Sequence, residues 1–451
     1  FSFVFIDFKS ENIQLIRDFT GTKPLYYSKK RLSLFFSSEA WFLYSVSEKK
    51  IDEDCFNYYF NFGFTKEDKT LIQNVNKIPA NHIFKFNLNN FSLDKEKYYD
   101  LDLQKNFDNP SVEETREYVE NSVKRNLISD TKIGTFLSGG VDSSTITIMA
   151  KKFNQNVESF TTFFLPEKKF KKFNVDFDFS KKISRDFDIK LNTYFIEDNN
   201  QFFEDFLKVT NYLDEPVSNL NFLNTYWQTK LAKEKGIKVI LTGDGADELF
   251  CGYDRYVSAY ISSKFRIFKY FNKKIDIMNN LKKNEIPSYY YSIFKGENFH
   301  DLLKNKVDKK NIINDNFFES FNSDNKIDLI NYFDTRYWLV NENNYKLDKC
   351  SMINSIEARV PFQDLDILNK FFFISNQKKF DYFKRKFYLK NIGILPNYVI
   401  KRKKMGWFTP DRIFLDNHLD EIFKNFFTKS KIDNQDVFDY SNLKKYFESC
   451  P

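Results

Sequence analysis

The stretch Leu137-Ser-Gly-Gly-Val-Asp-Ser-Ser144 decides the fold of this chain. The apolar run Ile133–Leu137 predicts a buried strand, and Ser143–Phe153 predicts a helix. Between them, Gly139 and Gly140 permit unusual φ angles and let a ligand approach the backbone closely. A helix that begins directly after such a turn presents unpaired N–H groups to an anion. The stretch therefore predicts a phosphate-binding loop in an α/β domain.

The side chains of this loop suit the same ligand. Ser138, Ser143 and Ser144 offer hydroxyl donors, and Asp142 places one carboxylate where it can hold Mg²⁺ beside phosphates. The loop is not a Walker A motif, because G-x-x-x-x-G-K-[ST] is absent. A plain Gly-Gly turn capped by serine remains the structural alternative for this loop taken alone.

A second motif, Leu241-Thr-Gly-Asp-Gly-Ala-Asp-Glu-Leu-Phe250, begins at the end of the predicted strand Val239–Thr242. Its acidic residues Asp244, Asp247 and Glu248 repel one another unless a cation or hydrogen-bond donors compensate. Ligands of open α/β sheets bind at the carboxyl ends of the strands, so the two loops are expected to face one nucleotide. An acidic turn is the alternative; a calcium loop of the EF-hand type lacks the required spacing.

The chain divides into two parts. Residues 1–101 predict a β-rich domain, with short apolar runs at Phe1–Ile6, Ile13–Ile16, Leu32–Phe36, Ile78–Pro79 and His82–Phe86. The polar segment Asp102–Pro110 is the expected linker. Residues 111–451 form the second domain, which opens with a capping box from Ser111 to Glu114.

Strands and helices alternate in the second domain. Helical spacing begins at Val112, the runs Val157–Phe164 and Val239–Thr242 predict strands, and Phe222–Lys235 predicts a helix. This alternation predicts a parallel sheet with helices on both faces. From about residue 255 onward the pattern is mostly helical. The fold class is therefore mixed α/β, with a β-rich first domain and a helical C-terminal part.

Composition excludes several classes of protein. The net charge of +7 on 451 residues is spread widely, and the basic runs lack nucleic-acid-reading signatures. The four cysteines are far apart and predict reduced thiols in the cytoplasm, and three histidines make a histidine metal site improbable. No apolar run has membrane-spanning length. We therefore expect no nucleic-acid partner and no membrane partner.

The two loops resemble motifs of a known family. SGGVDSS resembles the pyrophosphate loop of N-type ATP pyrophosphatases, and its surroundings resemble the asparagine-synthetase branch. GDGADELFCGY resembles the second nucleotide motif of that branch. The resemblance implies ATP as a substrate and Mg²⁺ held by Asp142 and Asp247. It implies ATP contacts from these residues: Leu137, Ser138, Gly139, Gly140, Asp142, Ser143, Ser144, Thr162, Thr242 and Gly243.

The resemblance also implies catalytic residues. Asp244 occupies the position that promotes adenylate formation, although many members carry Glu there. The segments Lys346–Met352 and Ile356–Asp364 resemble a paired helical signature in which Asp348 is a candidate active-site carboxylate. Lys386 matches the catalytic lysine, which balances negative charge during adenylation. Glu357 and Arg359, by contrast, are expected to form a structural ion pair.

Residues 1–101 resemble part of the glutamine amidotransferase domain, of the Ntn type, that precedes these synthetases. Members of the family open this domain with a nucleophilic N-terminal cysteine, which is not seen here. We therefore expect a fragment that does not hydrolyse glutamine as supplied. Cys55 has no matching context, so we expect it to be buried.

The resemblance implies an asparagine synthetase. Aspartate would be activated as a β-aspartyl-adenylate and attacked by ammonia drawn from glutamine. A related amidotransferase that adenylates a sugar acid or a secondary metabolite is the first alternative, supported by Leu191-Asn192-Thr193 and Asn219, where many members carry other residues. A non-catalytic relative is the second. A homodimer is compatible with either enzyme.

Overall fold

The computed structural model describes most of the chain. The described residues are 1–48, 50–99, 109–197, 200–257, 302–304, 317–318, 321, 323, 325–372, 374, 379, 385–404 and 409–449. Most of the expected linker and much of the helical prediction after residue 255 lie outside them.

The N-terminal part contains two antiparallel sheets, as predicted. Their strands are β1 (Ser2–Asp7), β2 (Asn12–Arg17), β3 (Tyr26–Lys30), β4 (Ser33–Ser37), β5 (Asn76–Lys77), β6 (His82–Asn87) and β7 (Leu93–Lys97). The sheet orders are β1-β2-β6-β7 and β4-β3-β5. Helices α1 (Ala40–Ser45) and α2 (Glu53–Phe62) follow β4. A shared core that includes Leu15, Tyr27, Ile78 and Phe84 joins the sheets.

The second part contains a parallel five-stranded sheet of order β10-β9-β8-β11-β12. Its strands are β8 (Ile133–Phe136), β9 (Glu158–Leu165), β10 (Lys190–Glu197), β11 (Val239–Leu241) and β12 (Glu357–Arg359). The chain runs outward from β8 through β9 to β10 and then returns to place β11 on the other side of β8. This reversal is a topological switch point, where open α/β sheets bind their ligands. The predicted parallel sheet is confirmed.

Helices connect and flank these strands. They are α3 (Val112–Asn126), α4 (Val141–Phe153), α5 (Glu167–Phe170), α6 (Val175–Asp186), α7 (Asn200–Tyr212), α8 (Phe222–Glu234) and α9 (Ala246–Leu249). The predicted capping box is present, because the Ser111 side chain accepts from the Glu114 N–H and the Glu114 side chain accepts from the Ser111 N–H. Helix α4 begins at Val141, two residues before the predicted start, because Gly140 already has the extended backbone of an N-cap.

Opposite faces of the sheet carry different helices. Thr135 faces α4, since the Thr147 hydroxyl donates to its side-chain oxygen at 2.9 Å. The next residue, Phe136, packs instead in a cluster with Ala232 of α8 and with Leu347. Successive side chains of a strand point to opposite faces, so α4 and α8 lie on opposite sides of the sheet.

The remaining described elements are helical, in agreement with the mostly helical prediction for this part of the chain. They are α10 (Lys326–Phe333), a π-helix (Asp334–Asn344), α11 (Tyr345–Met352), a 3₁₀ turn (Pro361–Gln363), α12 (Leu365–Phe371), α13 (Phe387–Asn391), α14 (Asn397–Ile400), α15 (Asp411–Asp416), α16 (Leu419–Phe426), α17 (Lys429–Gln435) and α18 (Tyr440–Ser449). The expectation of a paired helical signature was wrong for Ile356–Asp364, which contains strand β12 and a 3₁₀ turn. Helix α10, the π-helix and α11 follow one another without a break, and α11 packs against α8. This continuous helical segment places side chains both at the sheet edge and against the N-terminal part.

Candidate active site

The first loop follows β8 and ends in the first turn of α4. Gly139 has a φ of +69°, and a Cβ added there would lie 2.4 Å from the Cβ of Phe179. Both the backbone conformation and the crowding therefore require glycine. Among the described residues no side chain caps the N-terminus of α4. The N–H groups of its first turn are thus available to an anion, as the sequence predicted.

The second loop touches the first. A Cβ added at Gly243 would lie 2.8 Å from the Cβ of Asp142 and 2.9 Å from the backbone nitrogen of Ser143. Gly245 has a φ of +94°, so the turn into α9 also requires glycine. The loops therefore meet at the switch point, and the expectation that they face one ligand agrees with their geometry.

Four charged side chains join the two loops to the C-terminal segment. The ammonium of Lys386 forms ion pairs with both Asp142 and Asp247, and the ammonium of Lys404 pairs with Asp247. Lys386 is 4% exposed, so these charges interact with little screening by water. Sequence analysis identified three of the four; Lys404 was missed, because a lysine in a basic run carries no signal of its own.

Burial and charge act in opposite directions on these groups. Burial raises the pKa of the Asp142 carboxyl, and Lys386 offsets that effect only in part. Burial also raises the pKa of Asp247, but Lys386 and Lys404 outweigh it and leave that pKa below its usual range. Burial lowers the pKa of Lys386, whereas Asp142 and Asp247 raise it further, with a net rise. The lysine is therefore held as a cation between two carboxylates.

The backbone around Lys386 is adapted to this position. Lys386 has a φ of +56°, a left-handed conformation that is uncommon for a residue with a Cβ. Gly252 lies against the pair, since a Cβ there would be 1.8 Å from an Asp247 carboxylate oxygen and 2.1 Å from Lys386 Cε. A strained residue held by two ion pairs is typical of a functional site. Gly252 is a site residue that the motif alone did not single out.

Glu248 is fully enclosed behind this cluster. Its carboxylate accepts a hydrogen bond from the Tyr253 hydroxyl at 2.6 Å. Burial, with a smaller contribution from Asp247, raises the pKa of Glu248 to about 8. Asp244, the predicted catalytic residue of this loop, accepts a hydrogen bond from Asn343 of the π-helix at 2.8 Å. The two carboxyl groups therefore have different partners and different surroundings.

A cavity of about 160 Å³ opens over both loops. The predicted ATP contacts and catalytic residues that line it are Leu137, Ser138, Asp142, Ser143, Thr162, Thr242, Gly243 and Asp244. A second cavity of about 210 Å³ lies beside Lys386 and is bordered by Arg385, Lys390, Arg402, Lys403 and Lys404. An elongated ligand with a polyanionic end fits this combination of a walled cavity and a basic neighbour.

Six predicted residues do not line the first cavity; two of them, Asp247 and Lys386, belong to the ion-pair cluster described above. Gly140 borders the second cavity, Gly139 packs on Phe179, and the Ser144 side chain is buried without a hydrogen-bond partner among the described residues. Asp348 forms an ion pair with Lys23 of the N-terminal part at 2.7 Å and does not border either described cavity. Its catalytic assignment stays a prediction.

The carboxylates present fit a magnesium ion. One oxygen of Asp142 has no hydrogen-bond partner among the described residues, and its carboxylate shares Lys386 with that of Asp247. The described residues contain no group of three His, Cys, Asp or Glu side chains arranged to hold a metal. Magnesium is commonly held by one or two carboxylates together with substrate phosphates, so a pair of aspartates suffices.

Other predicted features have structural roles. Arg359 Nε donates to Glu357 at 2.8 Å, which confirms the expected ion pair. Cys55 is buried, as expected, and burial raises the pKa of its thiol to about 12. The Asn192 amide donates to Glu158 at 2.9 Å, and Asn219 accepts from the backbone of Asn221 at 3.1 Å. These two departures from the family pattern are therefore used in local hydrogen bonds.

The fold and the paired loops define a nucleotide-binding α/β enzyme domain preceded by a second, β-rich domain. Family comparison is specific: residues 114–451 match the family model described as asparagine synthase, and residues 1–99 match the glutamine amidotransferase domain. The chain belongs to the asparagine synthase family. It is thus a carbon–nitrogen ligase of the glutamine-hydrolysing type.

Two relatives from Bacillus subtilis (strain 168) show how far the similarity extends. The chain is 27% identical over 441 residues to "Asparagine synthetase [glutamine-hydrolyzing] 1", covering 92% of this chain and 68% of that protein. It is 26% identical over 388 residues to "Asparagine synthetase [glutamine-hydrolyzing] 2", covering 81% of this chain and 49% of that protein.

Among the described helices, none combines the length and the apolar character needed to cross a bilayer.

Proposed function

We propose that this protein activates the side-chain carboxylate of aspartate with ATP and converts it to the amide of asparagine. The observation that carries the proposal is the contact between Gly243 and Asp142, which joins the two loops around one cavity. The family match and the names of the relatives support the same activity.

The first step transfers AMP. A carboxylate oxygen of aspartate attacks the α-phosphorus of ATP, the bond from that phosphorus to the bridging oxygen breaks, and pyrophosphate leaves. The open N–H groups of α4 and the hydroxyls of Ser138 and Ser143 are the donors that hold the phosphates. Lys386 balances the negative charge that builds up between carboxylate and phosphate. Holding both reactants in line removes much of the entropic part of the barrier.

The second step forms the amide. Ammonia attacks the acyl carbon of the adenylate, the bond from that carbon to the phosphate oxygen breaks, and AMP leaves together with one proton.

Asp244 lies at the rim of the same cavity and is held by Asn343, so it is the group we propose to assist adenylate formation in the first step. When bound, Mg²⁺ would be held by Asp142 and Asp247 and would neutralise phosphate charge.

Glutamine is the proposed source of the ammonia, in keeping with the match of residues 1–99 to the glutamine amidotransferase domain. Ion pairs fasten the N-terminal domain to the synthase domain: Lys349 of α11 pairs with Glu39, Lys77 pairs with Glu215 at 2.7 Å, and Lys23 pairs with Asp348. All three contacts lie on the side of the sheet that carries α8 and α11. These ion pairs therefore hold the N-terminal domain against the face of the synthase domain that carries α8 and α11.

Pyrophosphate release tests the proposal. The full chain is incubated with ATP, Mg²⁺ and ammonium, with aspartate or with a panel of other carboxylic acids. Release that requires aspartate supports asparagine formation, and release only with a sugar acid or another carboxylate supports the related amidotransferase. Absence of both ATP binding and release would overturn the enzyme assignment. Asp142→Asn is expected to abolish release, and Asp130→Asn, at an exposed position, serves as the matched control.

A further inference from the structure

Two amide side chains on α8 border the cavity without a role in the mechanism above. Asn224 is 0% exposed and Gln228 is 3% exposed. Both amide atoms of Asn224 and the amide oxygen of Gln228 lack hydrogen-bond partners among the described residues. Buried amides are normally paired, because an unpaired one loses its hydrogen bonds to water. The structure therefore contains buried hydrogen-bond donors and acceptors that are available to a ligand.

The two residues act as one surface. They are four positions apart, so they lie on the same face of α8. Helix α8 packs against β9, β10 and α11, and both amides line the cavity together with Phe136 and Thr162. The phosphate loop and the turn at Gly243 follow β8 and β11 instead. The amides thus lie toward the β9 end of the cavity, away from β11.

The surroundings of the amides suit a flat aromatic ligand. The apolar residues that line the same cavity include Phe136, Leu137, Phe164 and Phe173. Phe164 is anchored by an edge-to-face contact with Trp227, with ring centroids 6.4 Å apart. Apolar walls with a few neutral donors and acceptors are the common design of sites for small aromatic molecules. The charged side chains that could bind the head group of an amino acid lie nearer the two loops.

We propose that Asn224 and Gln228 recognise the 6-amino edge of adenine and so select ATP over other nucleotides. This proposal rests on the proposed use of ATP. The adenine amino group offers two hydrogens, and the ring nitrogen beside it accepts one hydrogen bond. The unpartnered amide oxygens of Asn224 and Gln228 match the two hydrogens, and the Asn224 NH₂ group matches the ring nitrogen. Paired contacts between Asn or Gln and adenine are a common mode of base recognition.

The same arrangement disfavours guanine and hypoxanthine. Both carry a carbonyl oxygen at position 6, which would face the two amide oxygens instead of donating to them. A buried acceptor left opposite another acceptor loses its hydrogen bond altogether. Discrimination of about 10-fold to 100-fold against a base without the amino group follows from one well-paired amide contact.

Binding of nucleoside monophosphates tests the proposal without Mg²⁺ or acceptor. The probes are AMP, purine riboside monophosphate, which lacks the 6-amino group, and inosine monophosphate, which carries the carbonyl. Wild type is expected to bind AMP about 10-fold or more tightly than either analogue. The double variant Asn224→Leu/Gln228→Met keeps the side-chain volume and removes the amides, so it is expected to bind all three probes alike.

Stability separates recognition from folding. The replaced amides are unpartnered, so the double variant is expected to unfold at the same temperature as wild type or higher. Lys233→Ala, on the exposed side of α8, is the control and should keep the AMP preference. A double variant that retains the preference, or that loses all three probes together, would overturn the proposal. So would unchanged AMP binding with a raised KM for the acceptor, which would place the amides at the acceptor instead.

The outcomes distinguish this inference from the function it rests on. If wild type releases pyrophosphate and the double variant still prefers AMP, base recognition by the two amides is contradicted and the proposed reaction is not. A wild-type AMP preference that the double variant loses, without pyrophosphate release, supports base recognition and contradicts the proposed reaction. A wild type that binds none of the probes contradicts both.

Discussion

Gly243 and Asp142 are in such close contact that a methyl group at residue 243 would lie 2.8 Å from the Asp142 Cβ. The two residues are about a hundred positions apart in the chain, yet each follows a neighbouring strand of the sheet. Their contact closes the two loops around one cavity. A change in either loop should therefore alter the site as a whole.

Gly243→Ala is expected to lower ATP affinity and pyrophosphate release, because the new methyl group separates the two loops. A displacement of about 1 Å in an active site commonly costs about a hundredfold in rate. The control is Gly236→Ala, where a Cβ meets nothing within 4 Å but φ is +74°. That change should reduce stability by about 1 kcal/mol and leave activity intact. Equal activity of the two variants would contradict the close contact.

Lys386→Met should reduce pyrophosphate release by about a hundredfold to a thousandfold, the usual loss when one preorganised charge is removed. The reason is that Lys386 is the cation that both Asp142 and Asp247 hold in the site. Steady-state rates with saturating ATP provide the measurement, and Lys235→Met on the surface is the control. A rate reduction of less than tenfold would show that Lys386 does not act in the chemical step.

Removal of divalent cations should stop pyrophosphate release and leave AMP binding intact. Asp142 and Asp247 would otherwise face a triphosphate with Lys386 and Lys404 as the nearby compensating charges. Chelation followed by titration of Mg²⁺ gives the measurement, with AMP binding measured in parallel. Release that continues in excess chelator would contradict the assignment of the two aspartates.

Lys349→Met is expected to destabilise the protein by about 3–5 kcal/mol, the usual effect of removing one partner from a buried ion pair. Lys349 and Asp214 have fully buried side chains, and Lys349 also pairs with Glu39 of the N-terminal domain. Urea unfolding of the full chain measures the change, with Lys9→Met on the surface as the control. Adding Asp214→Asn to Lys349→Met should recover part of the lost free energy of unfolding. An unchanged urea midpoint in Lys349→Met alone would show that these ion pairs do not hold the two domains together.

Local sequence patterns predicted the elements that depend on neighbours in the chain. The glycines at residues 139 and 243, the capping box at Ser111 and the strand β8 all follow from spacing and residue type. The alternation of strands and helices was enough to predict a parallel sheet. The start of α4 differed by two residues, because the glycine itself serves as the N-cap.

Contacts between distant residues could not be predicted in the same way. Gly252 is required because Asp247 and Lys386 meet above it, and no local pattern records that meeting. The same holds for Lys404 and for the pairing of Asp348 with Lys23. The amides of Asn224 and Gln228 lie on a helix whose buried face is otherwise ordinary, so only the cavity beside them shows that they lack partners.

Transfer of labelled oxygen tests the adenylate most directly. Aspartate with ¹⁸O in its side-chain carboxylate is incubated with the full chain, ATP, Mg²⁺ and ammonium, and the products are analysed by mass spectrometry. Attack of that carboxylate on the α-phosphorus places one ¹⁸O atom in AMP and none in pyrophosphate. Formation of ADP with ¹⁸O in orthophosphate would contradict the account. So would formation of AMP without ¹⁸O, with the label found in asparagine alone.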